Sequence, residues 1–130
     1  MIVVDTNVMV YLLTGSGPGD AAPRLLREDP EWVAPPILLS EVRNVAAGLV
    51  RRGSMERRDG VAICEDAEAI LADRIASVPS AAVLQAAMEA GLSAYDAEFV
   101  ALARRLGLPL VSGDRAILEG APDVAVALEG

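Results

Sequence analysis

The chain begins MIVVDTN (residues 1–7), a stretch in which three consecutive apolar residues lead directly into an acid. An apolar run with no polar face is typical of a strand buried on both sides, as in a parallel sheet. In open α/β sheets, ligands bind at the carboxyl ends of the strands. Asp5 therefore stands where such a fold usually carries out its chemistry.

The rest of the chain alternates between strand-like and helix-like segments, with no internal repeat and no linker. Helices are predicted at residues 6–13, 20–28, 37–52, 56–73, 79–90, 94–106 and 114–118, and further strands at 32–34, 75–78, 109–112 and 124–126. This alternation predicts an α/β fold with right-handed crossovers, in which about five parallel strands lie between helices as a three-layer sandwich. The length predicts one domain over residues 1–130.

Two residue types are missing from the composition. There is no histidine, and because all 11 basic residues are arginines there is no lysine either. The absence of histidine excludes catalytic triads, general bases and metal sites that use histidine. The absence of lysine excludes phosphate-binding P-loops and Schiff-base chemistry. Carboxylates, hydroxyls and metal ions remain as the means of catalysis.

The formal net charge of −8 is unevenly distributed. Residues 1–58 hold seven acids and seven arginines, whereas residues 59–130 hold twelve acids and four arginines. This is unlike the basic surface of a general nucleic-acid binder, but it suits a metal-binding protein or one with a basic partner. The single cysteine, Cys64, excludes an internal disulfide, and with no signal-peptide or membrane-spanning pattern we expect a cytoplasmic protein.

Four acids occupy positions at which chemistry is expected. Asp5 and Asp114 follow predicted strands, Asp96 lies in the first turn of a predicted helix, and Glu41 lies among apolar helix residues. The α/β topology allows the four carboxylates to converge at one edge of the sheet. Converging carboxylates cannot all ionise without cations, and hard divalent ions such as Mg²⁺ or Mn²⁺ accept oxygen ligands. A water on such an ion can attack phosphorus.

Each of these acids also has a purely structural interpretation. Asp5 and Asp114 stand at helix N-cap positions, and Asp96 follows a serine at capping-box spacing. Taken alone, Glu41 is more simply explained by an arginine partner, such as Arg43 or one from elsewhere in the chain.

The motifs, in this order, resemble those of PIN-domain ribonucleases, most closely the VapC toxins of bacterial type II toxin–antitoxin systems. The resemblance covers nearly the whole chain and is carried by IVVDTN (2–7), SEV (40–42), LSAYDA (92–97) and LVSGDRAIL (110–118). It implies Mg²⁺ or Mn²⁺ bound by four catalytic acids, which are Asp5, Glu41, Asp96 and Asp114. It also implies that Asn7 and Ser112 support the site, with Ser112 in place of a more usual threonine.

The resemblance further implies the activity and the partners. The activity would be endonucleolytic cleavage of structured cytoplasmic RNA such as transfer or ribosomal RNA. The partner would be a cognate antitoxin that wraps around the toxin and places an arginine in the acidic site. Family members also commonly form homodimers.

Affinity for RNA must come from local arginines and metals, because the chain is acidic. Arg51 and Arg52, near Arg57 and Arg58, form the best basic cluster, and Arg115 is a candidate phosphate contact. The alternatives are that the cluster is a solvated helix end and that Arg115 makes a structural ion pair.

The residues of this sequence fit other enzyme classes less well. A haloacid-dehalogenase-like phosphatase needs a second aspartate where this chain has Asn7, and it needs a lysine. A phosphorylated receiver domain fails on the same missing lysine. The remaining alternative is a catalytically silent PIN-like interaction module that acts through an antitoxin partner.

Overall fold

The structure, a computed structural model, describes residues 1–129. Its parallel strands are connected through helices, which confirms the predicted α/β class. In chain order they are β1 (Ile2–Val4), α1 (Thr6–Thr14), α2 (Ala21–Glu28), β2 (Trp32–Val33), α3 (Ile37–Arg51), α4 (Arg57–Leu71), α5 (Ser80–Ala90), α6 (Ala94–Leu106), β3 (Leu110–Ser112), α7 (Arg115–Gly120) and β4 (Ala125–Ala127).

The strands form one parallel sheet in the order β2-β1-β3-β4. β1 and β3 lie side by side at the centre, with Val4 in register with Val111. β2 lies on the far side of β1, and β4 on the far side of β3, so the direction of strand order reverses between the two central strands. The crevice outside the carboxyl ends of the strands at such a switch point is the usual ligand site of an open α/β sheet.

The sheet has four strands rather than about five, because the strand predicted at residues 75–78 does not form. Only Ile75 pairs, in a single parallel bridge with Ala34. The residues after Ala34 are Pro35 and Pro36, which have no N–H group to donate. The ladder therefore cannot continue past the bridge.

The core places α6 against the two central strands. All residues of β1 and β3 are buried, as is the middle of α6 from Phe99 to Ala103. The packing of this apolar helix holds its first turn, which carries Asp96, close to the carboxyl ends of the strands. Among the helices of residues 1–129, none has the length and apolar character needed to cross a bilayer.

Candidate active site

A cavity of about 430 Å³ opens next to the carboxyl ends of β1 and β3, and all four predicted acids line it. The described lining contains no arginine. It comprises Asp5, Thr6, Asn7, Ile37, Ser40, Glu41, Asn44, Val45, Tyr95, Asp96, Phe99, Asp114 and Ile117. The acids come from four different places in the sequence, and the fold brings all four to the lining of one cavity.

Asp5 is 3% exposed and is held by three hydrogen bonds. Its Oδ1 accepts the backbone N–H of Val8 at 3.0 Å and so caps α1. Its Oδ2 accepts the hydroxyl of Ser112 at 2.5 Å and the N–H of Gly113 at 3.1 Å. Burial raises the pKa of Asp5, although the hydrogen bonds from Ser112, Val8 and Gly113 oppose the rise. Asp5 is therefore both a helix cap and a wall of the cavity.

Ser112 connects two of the acids through one buried hydroxyl. The hydroxyl donates to Asp5 and accepts the backbone N–H of Asp114 at 2.9 Å. Ser112 is the last residue of β3 and follows the buried residue Val111, so the strand fixes the direction of its hydroxyl. The spatial relation between Asp5 and Asp114 is set by this contact.

Asp114 caps α7 through one oxygen only. Its Oδ1 accepts the N–H groups of Ala116 at 2.8 Å and Ile117 at 3.2 Å. In the part of the chain that the structure describes, its second oxygen has no hydrogen-bond donor and remains available to a ligand.

Glu41 is satisfied by a hydroxyl rather than by an arginine. The hydroxyl of Thr6 donates to Glu41 Oε1 at 2.6 Å. Arg43 instead pairs with Glu68 at 3.5 Å, so the interpretation in which Arg43 neutralises Glu41 is wrong. Thr6 was missed from sequence, although it lies between two residues that were singled out, Asp5 and Asn7.

Asp96 is the carboxylate with the fewest protein contacts. Its backbone N–H donates to the Ser93 hydroxyl at 3.1 Å, which caps α6, but within residues 1–129 its carboxylate accepts no hydrogen bond. The reciprocal half of a capping box is therefore missing. Burial raises the pKa of Asp96, and so do the negative charges of Asp114, Glu41 and Asp5, in that order. These three acids are thus close enough to Asp96 to disfavour its ionised form.

The spacing of the acids is still wider than a coordination sphere. In the described chain, no three of them lie close enough together to hold one ion as they stand. Backbone N–H groups hold the carboxylates of Asp5 and Asp114, whereas the carboxylate of Asp96 accepts no hydrogen bond within residues 1–129. Closing the set around a cation therefore depends mainly on Asp96, because Glu41 is also held, by the Thr6 hydroxyl.

Of the other predicted residues, Asn7 lines the cavity and the three arginines do not. Asn7 is also exposed to solvent. Arg115 is 90% exposed and pairs with Glu119 at 2.8 Å, which is the structural ion pair left open as an alternative. Arg51 and Arg52 are exposed at the end of α3 and do not line the cavity.

Comparison with known proteins agrees with this architecture. The sequence profile of the PIN domain family matches residues 2–121. No curated protein matches the sequence.

Several solved structures share the fold at low sequence identity. PAE2754 from Pyrobaculum aerophilum has a TM-score of 0.78 at 20% identity, covering 98% of this chain and 83% of that one. A toxin–antitoxin complex from Klebsiella pneumoniae has a TM-score of 0.72 at 18% identity, covering 99% of this chain and 98% of that one. VapBC2 from Rickettsia felis, bound to a DNA fragment from its promoter, has a TM-score of 0.66 at 14% identity, covering 99% of this chain and 100% of that one. The profile match spans most of the chain, and the protein belongs to the PIN domain family.

Proposed function

We propose that this protein is a metal-dependent endoribonuclease that acts as the toxin of a toxin–antitoxin pair. The observation that carries the proposal is the meeting of four carboxylates on one cavity at the switch point of the sheet, with no arginine in the described lining. Acids that were only structural caps would not need to face one another across a cavity. Membership of the PIN domain family supports the same function.

The donor set suits a hard divalent cation such as Mg²⁺ or Mn²⁺, because it consists of carboxylate oxygens with no basic side chain among them. We assign the catalytic and metal-binding roles to Asp5, Glu41, Asp96 and Asp114. When bound, the cation would acidify a water molecule and neutralise charge on the scissile phosphate.

The protein's own residues prepare this site before any ligand enters. Ser112 and Gly113 orient Asp5, and Thr6 orients Glu41, so that these acids present defined oxygens to the cavity. Such contacts to metal-binding carboxylates are expected to increase metal affinity, because they reduce the motion that binding would have to freeze. Asp96 supplies the adjustable carboxylate.

We propose RNA as the substrate, with transfer or ribosomal RNA as the class. Phosphate contacts would come from outside the described lining of the cavity. Arg51 and Arg52 are exposed at the end of α3, outside the cavity lining. The exposed ion pair of Arg115 with Glu119 is weak enough to be exchanged for a phosphate contact.

We further propose a cognate antitoxin as the protein partner, in a cytoplasmic complex built on a toxin homodimer. One structure of the same fold is described as a toxin–antitoxin complex, from Klebsiella pneumoniae. An arginine of the antitoxin would complement the acidic cavity, which has no basic side chain in its described lining.

One observation favours the alternative of a catalytically silent module, namely that no three acids of the described chain are within reach of one ion. A cleavage assay separates the two. Protein freed of antitoxin is incubated with total RNA, with Mg²⁺ or with a chelator. We expect cleavage only with Mg²⁺, at least about 100-fold slower in Asp5→Asn and unchanged in Asp66→Asn, which makes the same charge change on the exposed side of α4. Equal cleavage by Asp5→Asn, or none by the unmodified protein, would overturn the enzymatic proposal.

A further inference from the structure

One aromatic side chain lies exposed at the cavity. Tyr95 is 65% exposed and lines the same cavity as the four acids. The chain has only four aromatic residues, and the other three are used by the fold. Trp32 and Phe99 are buried. Tyr11 packs closely over the glycine of the loop at position 113.

The position of Tyr95 is fixed by a rigid element. It lies in the first turn of α6, which is capped by Ser93 and whose middle is buried in the core. Phe99, one turn further along α6, is buried in the core and also lines the cavity. Tyr95 therefore lies next to Asp96 on the lining of the cavity, and its side chain is largely exposed rather than part of the core. An aromatic group in that place has no evident use in folding.

The charge of the site defines what such a ring can contribute. Four carboxylates line the cavity, the described lining has no arginine, and the chain carries a net charge of −8. Electrostatic attraction of the phosphate backbone, which usually dominates nucleic-acid affinity, is therefore weak at this place. Stacking of a base on an aromatic ring does not depend on charge, and unpaired RNA bases commonly bind proteins in this way.

We propose that Tyr95 is a stacking platform for a nucleobase of single-stranded RNA beside the scissile phosphate. The inference rests on the ribonuclease function proposed above. The ring holds one unpaired base, and that contact positions the adjoining phosphodiester over the acids. Such stacking tolerates different bases, so the subsite selects for an unpaired nucleotide more than for a sequence.

Binding tests the inference without catalysis. In the Asp5→Asn background, anisotropy of a labelled single-stranded RNA is measured with chelator present, so that neither cleavage nor metal contributes. Tyr95→Ala is expected to weaken binding by about tenfold, and Tyr95→Phe by no more than about twofold, because the ring is kept. The matched control is Leu84→Ala, since Leu84 is 55% exposed on α5 and does not line the cavity. Equal affinity of the Tyr95→Ala and Leu84→Ala variants would overturn the inference.

Cleavage of a substrate that lacks one base sharpens the test. An abasic nucleotide is placed in turn at each position next to the mapped cleavage site. At one position the abasic substitution should raise KM by about tenfold for the unmodified enzyme, and this penalty should disappear in Tyr95→Ala. A penalty that persists at every position in Tyr95→Ala contradicts the stacking role while leaving the nuclease intact. Failure of the unmodified protein to cleave any RNA is a different result, because it overturns the ribonuclease proposal itself.

Discussion

The hydroxyl of Thr6 donates a hydrogen bond of 2.6 Å to Glu41 and joins the first turn of α1 to α3. Thr6 follows Asp5 directly, so one short segment carries an acid of the cavity and the donor that orients another acid. Asp5 is oriented in turn from β3 through Ser112. Two of the four carboxylates are thus held by hydroxyl groups from other elements.

Removing the Thr6 hydroxyl should weaken metal binding. Thr6→Val keeps the shape of the side chain but leaves Glu41 without its donor, so we expect Mn²⁺ affinity to fall by about tenfold. Free Mn²⁺ can be followed by electron paramagnetic resonance during a titration. Thr6→Ser, which keeps the hydroxyl, serves as the control. Equal affinities for the Thr6→Val and Thr6→Ser proteins would show that Glu41 needs no positioning.

Loss of the Ser112 hydroxyl should lower stability. Ser112→Ala removes a donor from buried Asp5 and an acceptor from the N–H of Asp114. The free energy of unfolding should fall by about 1–3 kcal/mol, since both groups lose a partner. Urea unfolding of this variant is compared with that of Ser112→Thr, which keeps the oxygen. A midpoint for Ser112→Ala equal to that of the unmodified protein would contradict the assigned contacts.

Neutralising Asp96 should stabilise the metal-free protein. The charges of Asp114, Glu41 and Asp5 act against Asp96, and its carboxylate accepts no hydrogen bond within residues 1–129 that the change would break. Asp96→Asn should therefore raise the melting temperature in chelator by about 2–4 °C. Asp66→Asn provides the comparison, because it makes the same change in net charge away from the cavity. An equal or smaller rise for Asp96→Asn would mean that the acids do not repel one another.

Burial and the neighbouring negative charges should together make the stability of the metal-free protein depend on pH. Burial raises the pKa values of Asp5 and Asp96 above 3.8, so above that pH the folded state binds more protons than the unfolded chain. The stabilising contribution of these two groups is present below pH 3.8 and is lost as pH rises through their folded-state pKa values. Urea unfolding over a pH series measures this loss. The gain in stability of Asp96→Asn over the unmodified protein should increase with pH across that range, and a constant gain would contradict the assignment.

Local patterns were enough to predict most of the fold. The apolar run of β1 and the serine that caps α6 three residues before Asp96 both lie within a few residues of the structure they encode. The predicted strand at 75–78 failed because its outcome depended on prolines about 40 positions away, which deny it a partner.

The four acids could be nominated from sequence because each follows a strand or belongs to a helix at one edge of the sheet. Their partners could not, because a hydrogen bond such as that from Thr6 to Glu41 leaves no local spacing signal. The pairing of Arg115 with Glu119 could be anticipated from local spacing, because the two residues are four positions apart on a helix.

If the four carboxylates form one cation site, the metal-free protein must bind Mn²⁺ through them, and calorimetric titration with Mn²⁺ measures that binding. We predict saturable binding that falls by at least about tenfold in Asp5→Asn and stays unchanged in Asp66→Asn. Absence of binding heat in the unmodified protein, or equal affinity in Asp5→Asn, would contradict a cation site formed by these carboxylates.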